Sequence, residues 1–378
     1  MGEELPGFQK TTDWLAKHPN LEVANQITAA LVSVSALKPQ VLALQHAEGW
    51  FSEYGGADIG YSFLTLDFLA RHIGDRDIEA AAGRLLEFLR HFPVTGGEFS
   101  SRATNHCFPY GVEKFAAAGN ESARQLLSDV RAFQPSADDT YTAYFYFNSY
   151  CLAACDVQLP AEPLPRKSDR QKWFPGAGLL VVNNDAYSAV INTRKGVWRA
   201  SDERGRVYGD AGYVAVGADG RVWASARAAE ETSPELGENS VKIRKSFALV
   251  DTGLPLRRHV VAFKFVTNLL LNIPALACWF SKLVKRRKIN KSTPGSASVT
   301  RSWTFKASAI AVEDELQTTG LSVRELLRVS GGAGMHSPSS MLFGSELAKL
   351  KGVDVLASEA KALKETGKVT HRSETVFQ

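Results

Sequence analysis

Apolar residues recur every three to four positions through roughly the first 157 residues, and nearer every second position beyond about residue 173. The first period predicts helices over Glu22–Leu37, Tyr61–His72, Asp77–Phe92, Gly111–Ala118, Ser122–Phe133 and Thr140–Cys155. Asp75 stands where the cap of the third belongs. The short Gly-, Asn- and Pro-bearing connections between them predict antiparallel helical hairpins.

Three prolines and a polar cluster at Gln158–Arg170 read as a linker. Beyond it, Ala177–Asn183, Ala186–Asn192, Val197–Ala200, Tyr213–Val216 and Val222–Ala226 are short and rich in Val, Tyr and Trp. Turn signals such as Asn183-Asn184-Asp185 and Asp219-Gly220 separate them, and Val299–Thr304 and Ala307–Asp314 resume the pattern. Helices first and strands after exclude an alternating βαβ fold and predict an α+β multidomain chain whose second part is most simply a β-sandwich. The expected boundaries are a helical domain 1–157, a linker 158–172, a β-domain 173–350 with a helical insertion 259–291, and a polar tail 351–378.

The insertion breaks the strand pattern. Val260–Val284 is mostly apolar and ends in Lys285-Arg286-Arg287-Lys288, yet it contains Lys264, Asn268, Asn272, Pro274 and Lys282 and has β-sequence on both sides. A single span would split the β-domain across a bilayer. Two readings stay open: amphipathic helices lying on an anionic membrane surface, or helices packed on the β-domain.

Composition narrows the class. Hydrophobic content of 44% with 22% charged residues is that of a soluble globular protein. The net charge of +4 is concentrated at Lys282–Lys291, without a basic stripe across a domain or interleaved aromatics, which argues against nucleic acid as the main partner. Cys107, Cys151, Cys155 and Cys278 lack metal-ligand spacing and suit a reducing compartment, so neither metal nor cofactor is expected. The opening MGEELPGFQK has no apolar leader pattern, and a cytoplasmic location, peripheral to the inner membrane through 259–291 at most, is the expectation. No phosphate loop, dinucleotide fingerprint, HExxH or GxSxG elbow is present.

Two polar clusters remain as candidate chemistry. Gln45–Tyr61 (QHAEGWFSEYGGADIGY) gathers rings, acids and glycines in a longer loop than a helix connection needs. Such a loop fits a polar ligand held against a ring face, with sugar as the first guess, or a packed elbow plugged by Trp50 and Phe51. Glu53 and Asp58 also permit a hydrolase reading, with an acid and a base flanking a glycosidic bond, or an ion pair of Asp58 with Arg102. The second cluster is Arg102–Tyr110 (RATNHCFPY), between a Gly-Gly loop and a helix start.

Ala24-Asn25-Gln26, Glu48–Tyr61 and Gly96–Arg102 resemble the heparinase II/III-like, toroid-fold polysaccharide lyases, as does Arg301-Ser302-Trp303 running to Val312-Glu313-Asp314. The resemblance covers about Leu21 to Gly320 and is nearest to poorly characterised members associated with bacterial surface polysaccharides. It implies an α/α toroid-like domain followed by an antiparallel β-sandwich, acting on an acidic bacterial polysaccharide by β-elimination at a uronic acid. A toroid of that kind needs more helices than the six or seven predicted here, so the barrel is expected to be partial or to lack an N-terminal portion. Uronate elimination needs a group to neutralise the carboxylate and groups to move the proton. On the resemblance, Arg102, Asn105 or His106 would neutralise, and His106, Tyr110 or Tyr54 would move the proton. Trp50, Glu53, Asp58, Tyr61 and Asn25 would shape the cleft and bind substrate. The competing structural roles are a hydrogen-bonding His106, a helix-start packing Tyr110 and a buried Asn25 amide satisfied by backbone. The competing function is a non-catalytic glycan-binding or assembly factor in surface-polysaccharide production.

Overall fold

The computed structural model describes residues 6–17, 23–53, 56–92, 94–95, 98–99, 107–133, 140–157, 159–165, 170–227, 233–250, 293–330 and 353–377. The chain divides into two compact units: Met1–Val190 with Ala200–Val207 and His336–Pro338, and Ile191–Arg199 with Tyr208–Met335 and Ser339–Gln378. It is an α+β protein, helices first and a large antiparallel sheet after.

The helices of the first unit are α1 (Pro6–Lys17), α2 (Ala24–Ser33), α3 (Lys38–Ala43), α4 (Ile59–Leu69), α5 (Arg76–Leu89), α6 (Pro109–Ala117), α7 (Glu121–Ala132) and α8 (Thr140–Asp156). Side-chain caps start three of them. The carboxylates of Asp58 and Asp75 and the amide oxygen of Asn120 accept backbone N–H bonds in the first turns of α4, α5 and α7. α4 is buried on every side except at Tyr61, so it forms the centre of the helical core. α2 stops at Ser33, where Val34 turns extended, and Pro39 opens α3 in a first turn that tolerates its missing N–H. Two short strands, β1 (Val94–Thr95) and β2 (Glu98–Phe99), pair between α5 and α6.

Strands begin earlier than the expected linker end. β3 (Gln171–Phe174), β4 (Leu179–Asn183) and β5 (Tyr187–Asn192) follow one another, and the first two pair antiparallel. Their apolar side chains join the helical core, with Phe174 stacked on Phe92 and meeting Phe88 and His91 edge to face. Residues up to Val190 therefore pack with the helices, because that ring finds its apolar surroundings on α5. The described part of the linker is also docked: Leu164 N–H donates to the Arg124 carbonyl, and Arg124 and Arg131 donate to the carbonyls of Glu162 and Ala161.

The remaining strands are β6 (Val197–Asp202), β7 (Val207–Gly217), β8 (Val222–Ala224), β9 (Glu235–Gly237), β10 (Ser240–Leu249), β11 (Pro294–Phe305), β12 (Ala309–Thr318), β13 (Val323–Ser330), β14 (Val353–Val355) and β15 (Lys368–Val376). In the second unit the order β15-β12-β11-β10-β8-β7 is antiparallel throughout, with β13 beside β7. Helix α9 (Ala357–Thr366) packs Ala360 and Leu363 into a core with Tyr213, Phe247, Val299 and Leu316. The segment expected to be a polar tail thus holds β14, α9 and β15. Its last strand escapes a hydrophobicity reading because it alternates exposed with half-buried positions. The expected insertion 259–291 lies outside the described residues, and among those described no helix is long and apolar enough to cross a membrane.

Candidate functional site

The loop from Gln45 is held by its own hydrogen bonds. His46 N–H donates to the Trp50 carbonyl at 2.8 Å, and Gly49 N–H donates back to His46 at 2.9 Å. Gly49 sits at φ +97°, where a Cβ would lie 2.2 Å from the Arg84 carbonyl oxygen, so only glycine lets the turn approach α5. Trp50 is 6% exposed and stacks on the His46 ring at 4.4 Å. Its indole N–H donates to Glu48 Oε2 at 2.8 Å, and the same carboxylate accepts from Gly176 and Ala177 N–H at 2.7 and 3.0 Å. Glu48 therefore ties the elbow to the turn between β3 and β4. Phe51 is fully buried beside it, a contribution of about 2–3 kcal/mol.

Further along the loop, the candidate binding residues have backbone partners. Glu53, 1% exposed, accepts from the Asn25 backbone N–H at 2.6 Å and so serves the start of α2, which has no side-chain cap of its own. Asp58 accepts from Tyr61 N–H at 3.1 Å as the cap of α4. Asn25 is buried, and Tyr61 is half-buried on α4. Glu53, Asn25 and Asp58 are thus brought together around the starts of two adjacent helices. The Asp58 role had a sequence signal, an acid immediately before an apolar-periodic run.

Tyr110 stands in the first turn of α6, which also lacks a capping side chain. Two neighbouring helices supply the missing acceptors. Ser149 Oγ on α8 accepts from Tyr110 N–H at 3.1 Å, and Asp67 Oδ1 on α4 accepts from Gly111 N–H at 3.2 Å and from the Ser149 hydroxyl at 2.7 Å. Burial pushes the Asp67 carboxyl up to about 6, against the pull of Arg71 and these donors. The Tyr110 hydroxyl donates to Asp156 Oδ2 at 2.6 Å, with Lys114 Nζ 2.8 Å from the same oxygen. Burial and then Asp156 push the phenol well above its ordinary range, so Tyr110 is protonated at neutral pH with its O–H held by Asp156. Tyr54, Arg102, Asn105 and His106 lie outside the described residues; Cys107, the next described residue after His106, is buried and donates its N–H to the Tyr146 hydroxyl at 3.3 Å.

The second unit holds a cluster of buried charges that none of these expectations included. Arg301 on β11 is fully buried and makes two bonds to each of two aspartates. Nη1 and Nη2 reach Asp210 at 2.6 and 2.9 Å, and Nε and Nη2 reach Asp314 at 2.8 and 3.0 Å. The Gly196 carbonyl takes a further bond from Nη1, and the Tyr213 hydroxyl donates to Asp314 at 2.6 Å. Burial alone would raise the Asp210 carboxyl, but the Arg301 guanidinium outweighs it and holds it well below the usual range. Arg328 donates to Asp210 at 3.1 Å and meets His371 at 3.4 Å, and His371 lies 3.0 Å from Glu359. The signal was present in the Arg301 and Asp314 motif, which strand pairing sets directly opposite each other. Among the described residues no three His, Cys, Asp or Glu side chains are placed to hold a metal ion.

No family profile matches the chain, and no curated protein does. Among solved structures the chain is similar to a mutant form of a chondroitin AC lyase from Streptomyces coelicolor A3, at 10% identity and a TM-score of 0.40. The match covers 84% of this chain and 50% of that one, so the chain spans about half the length of the lyase. A likeness at that score fixes neither fold family nor chemistry.

Proposed function

We propose that the protein acts on an acidic bacterial polysaccharide and cleaves it by β-elimination at a uronic acid, using a partial α/α toroid-like helical domain followed by a β-sandwich. The observation that carries the reading is the order of helical hairpins and then antiparallel sheet, with the Arg301 and Val312-Glu313-Asp314 motif forming one strand pair. Arg102 or Asn105 would neutralise the uronate carboxylate. A base takes the C5 proton, the electron pair forms the C4–C5 double bond, and the C4–O bond breaks as the leaving oxygen takes a proton. The base would be His106, a residue type suited to proton transfer near neutral pH, and Tyr110 would protonate the leaving oxygen on release from Asp156.

A second reading, a non-catalytic glycan-binding or assembly factor, is favoured by one observation. The hydroxyl of Tyr110, the candidate proton carrier among the described residues, is committed to Asp156 at 2.6 Å. Incubation with uronate polymers, followed by the ultraviolet absorbance of the unsaturated product, separates the two. The lyase reading expects product, with His106→Ala and Tyr110→Phe each lowering kcat by about 10²–10⁴-fold. Retention of the chain on an immobilised acidic polysaccharide, with no product from any polymer, would establish the second reading instead.

A further inference from the structure

The C-terminal strand β15 leaves one hydrogen-bonding edge without a strand partner among the described residues. Its other edge pairs with β12 through nine consecutive residue pairs, with no register shift. Protein edges are ordinarily blunted by short strands, prolines, bulges or a covering element. β15 runs Lys368–Val376 (KVTHRSETV), with no proline, no glycine and no bulge. Charge is the device it does carry: Lys368 and Arg372 are followed by one acid, Glu374. Lys368, Arg372 and Glu374 all stand on the exposed positions of the alternation.

We infer that this edge docks a second copy of the chain, β15 against β15, antiparallel about a two-fold axis at Ser373. In that register Arg372 of each copy lies opposite Glu374 of the other, and Thr370 lies opposite Val376. An axis at Arg372 would set arginine against arginine, and one at His371 would set the two imidazoles against each other. An axis at His371 would bring Lys368 opposite Glu374 but at the cost of facing imidazoles, whereas the Ser373 axis makes an opposite-charge pair across the strands with no like pair facing. The pairing also extends ladders already present within one copy: Arg372 reaches Glu313 at 3.2 Å, and Lys306 reaches Glu374 at 2.5 Å. Arg372 then sits between two carboxylates, one on each side of the new seam. Such an isologous contact closes as a dimer and leaves neither copy's β15 open.

Sedimentation equilibrium of the full chain over a range of concentrations tests this. The expected result is a monomer–dimer equilibrium. Arg372→Glu and Glu374→Arg should each weaken it about tenfold or more, because each sets like charges opposite each other twice, and the double reversal should restore it to within about threefold. Circular dichroism melts show that each single variant is folded, which matters because Arg372→Glu also loses the Glu313 contact. Ser373→Cys, in a background where Cys151, Cys155 and Cys278 are serine, should join two chains on mild oxidation, since it faces its own copy at the axis. A chain that is monomeric at every concentration overturns the inference. So does a dimer whose affinity is unchanged in both single reversals.

Discussion

A carboxyl held near pH 6 inside a helical core makes stability depend on pH in an unusual direction. Asp67 has its folded value raised from 3.8 to about 6 by burial, so the folded state keeps a proton that the unfolded chain has released. Its contribution is therefore fullest below about pH 3.8 and is lost as pH rises through 6, amounting to about 3 kcal/mol across that window. Asp67→Asn keeps an acceptor for Gly111 and Ser149 but removes the titration. Urea unfolding at several pH values between 4 and 7 should show the variant gaining on the natural protein as pH rises; parallel curves would refute the assignment. Legibility at this scale depended on how far away each partner lies. Asp58 could be read as a cap because the helix it serves follows at once. Glu53 could not, since the N–H it accepts from belongs to Asn25, twenty-eight residues earlier. Asp67 was equally hidden, because both of its donors lie at least forty-four residues away, at Gly111 and Ser149.

Elements with a long apolar period were legible, and elements too short or interrupted by a buried charge were not. The six helices predicted by period correspond to α2, α4, α5, α6, α7 and α8, with ends shifted by a few residues. β10 was missed: its buried positions read Val241, Ile243, Lys245, Phe247, and the buried lysine interrupts the apolar alternation. α3 was missed because six residues are too few to establish a period. The crossing of α4 and α6 gives a test of how tightly the elements meet. Alanine in place of a helix glycine ordinarily stabilises by about 0.5–1 kcal/mol. At Gly111 a Cβ would lie 2.7 Å from the Leu66 carbonyl carbon and 2.8 Å from Asp67 N, so backbone would have to move. Gly111→Ala is expected to lose about 1–3 kcal/mol instead, measured as a lower urea midpoint with an unchanged slope. A midpoint at or above that of the natural protein would mean the helices can part at no cost.

Across the whole molecule, the sequence pattern placed the change from helices to strands but not the division into units. β3, β4 and most of β5 belong with the helices, because Phe174, Leu179 and Val181 bury against helical neighbours, and periodicity says nothing about which layer a strand packs on. The candidate chemistry was legible only as residue types, since Arg102, Asn105 and His106 fall outside the described segments. The second unit carries its own test. Removing the guanidinium in Arg301→Met leaves Asp210 and Asp314 buried without their shared cation, which should cost about 3–5 kcal/mol. Hydrogen exchange read by mass spectrometry should then show faster exchange in β7, β11 and β12. Protection equal to that of the natural protein would show that the aspartates find other partners.

The same cluster bears on how the sheet finds its alignment during folding. Side chains alternate between faces along a strand, so a slip of one residue between β11 and β12 would carry Arg301 away from Asp314 to the opposite side. An apolar strand that slips still buries apolar atoms, and the error is cheap. Here the error would part Arg301 from Asp314 and leave that buried carboxylate without its counter-charge. The Arg301 cluster thus works as an alignment key, penalising a misregistered pairing of β11 with β12.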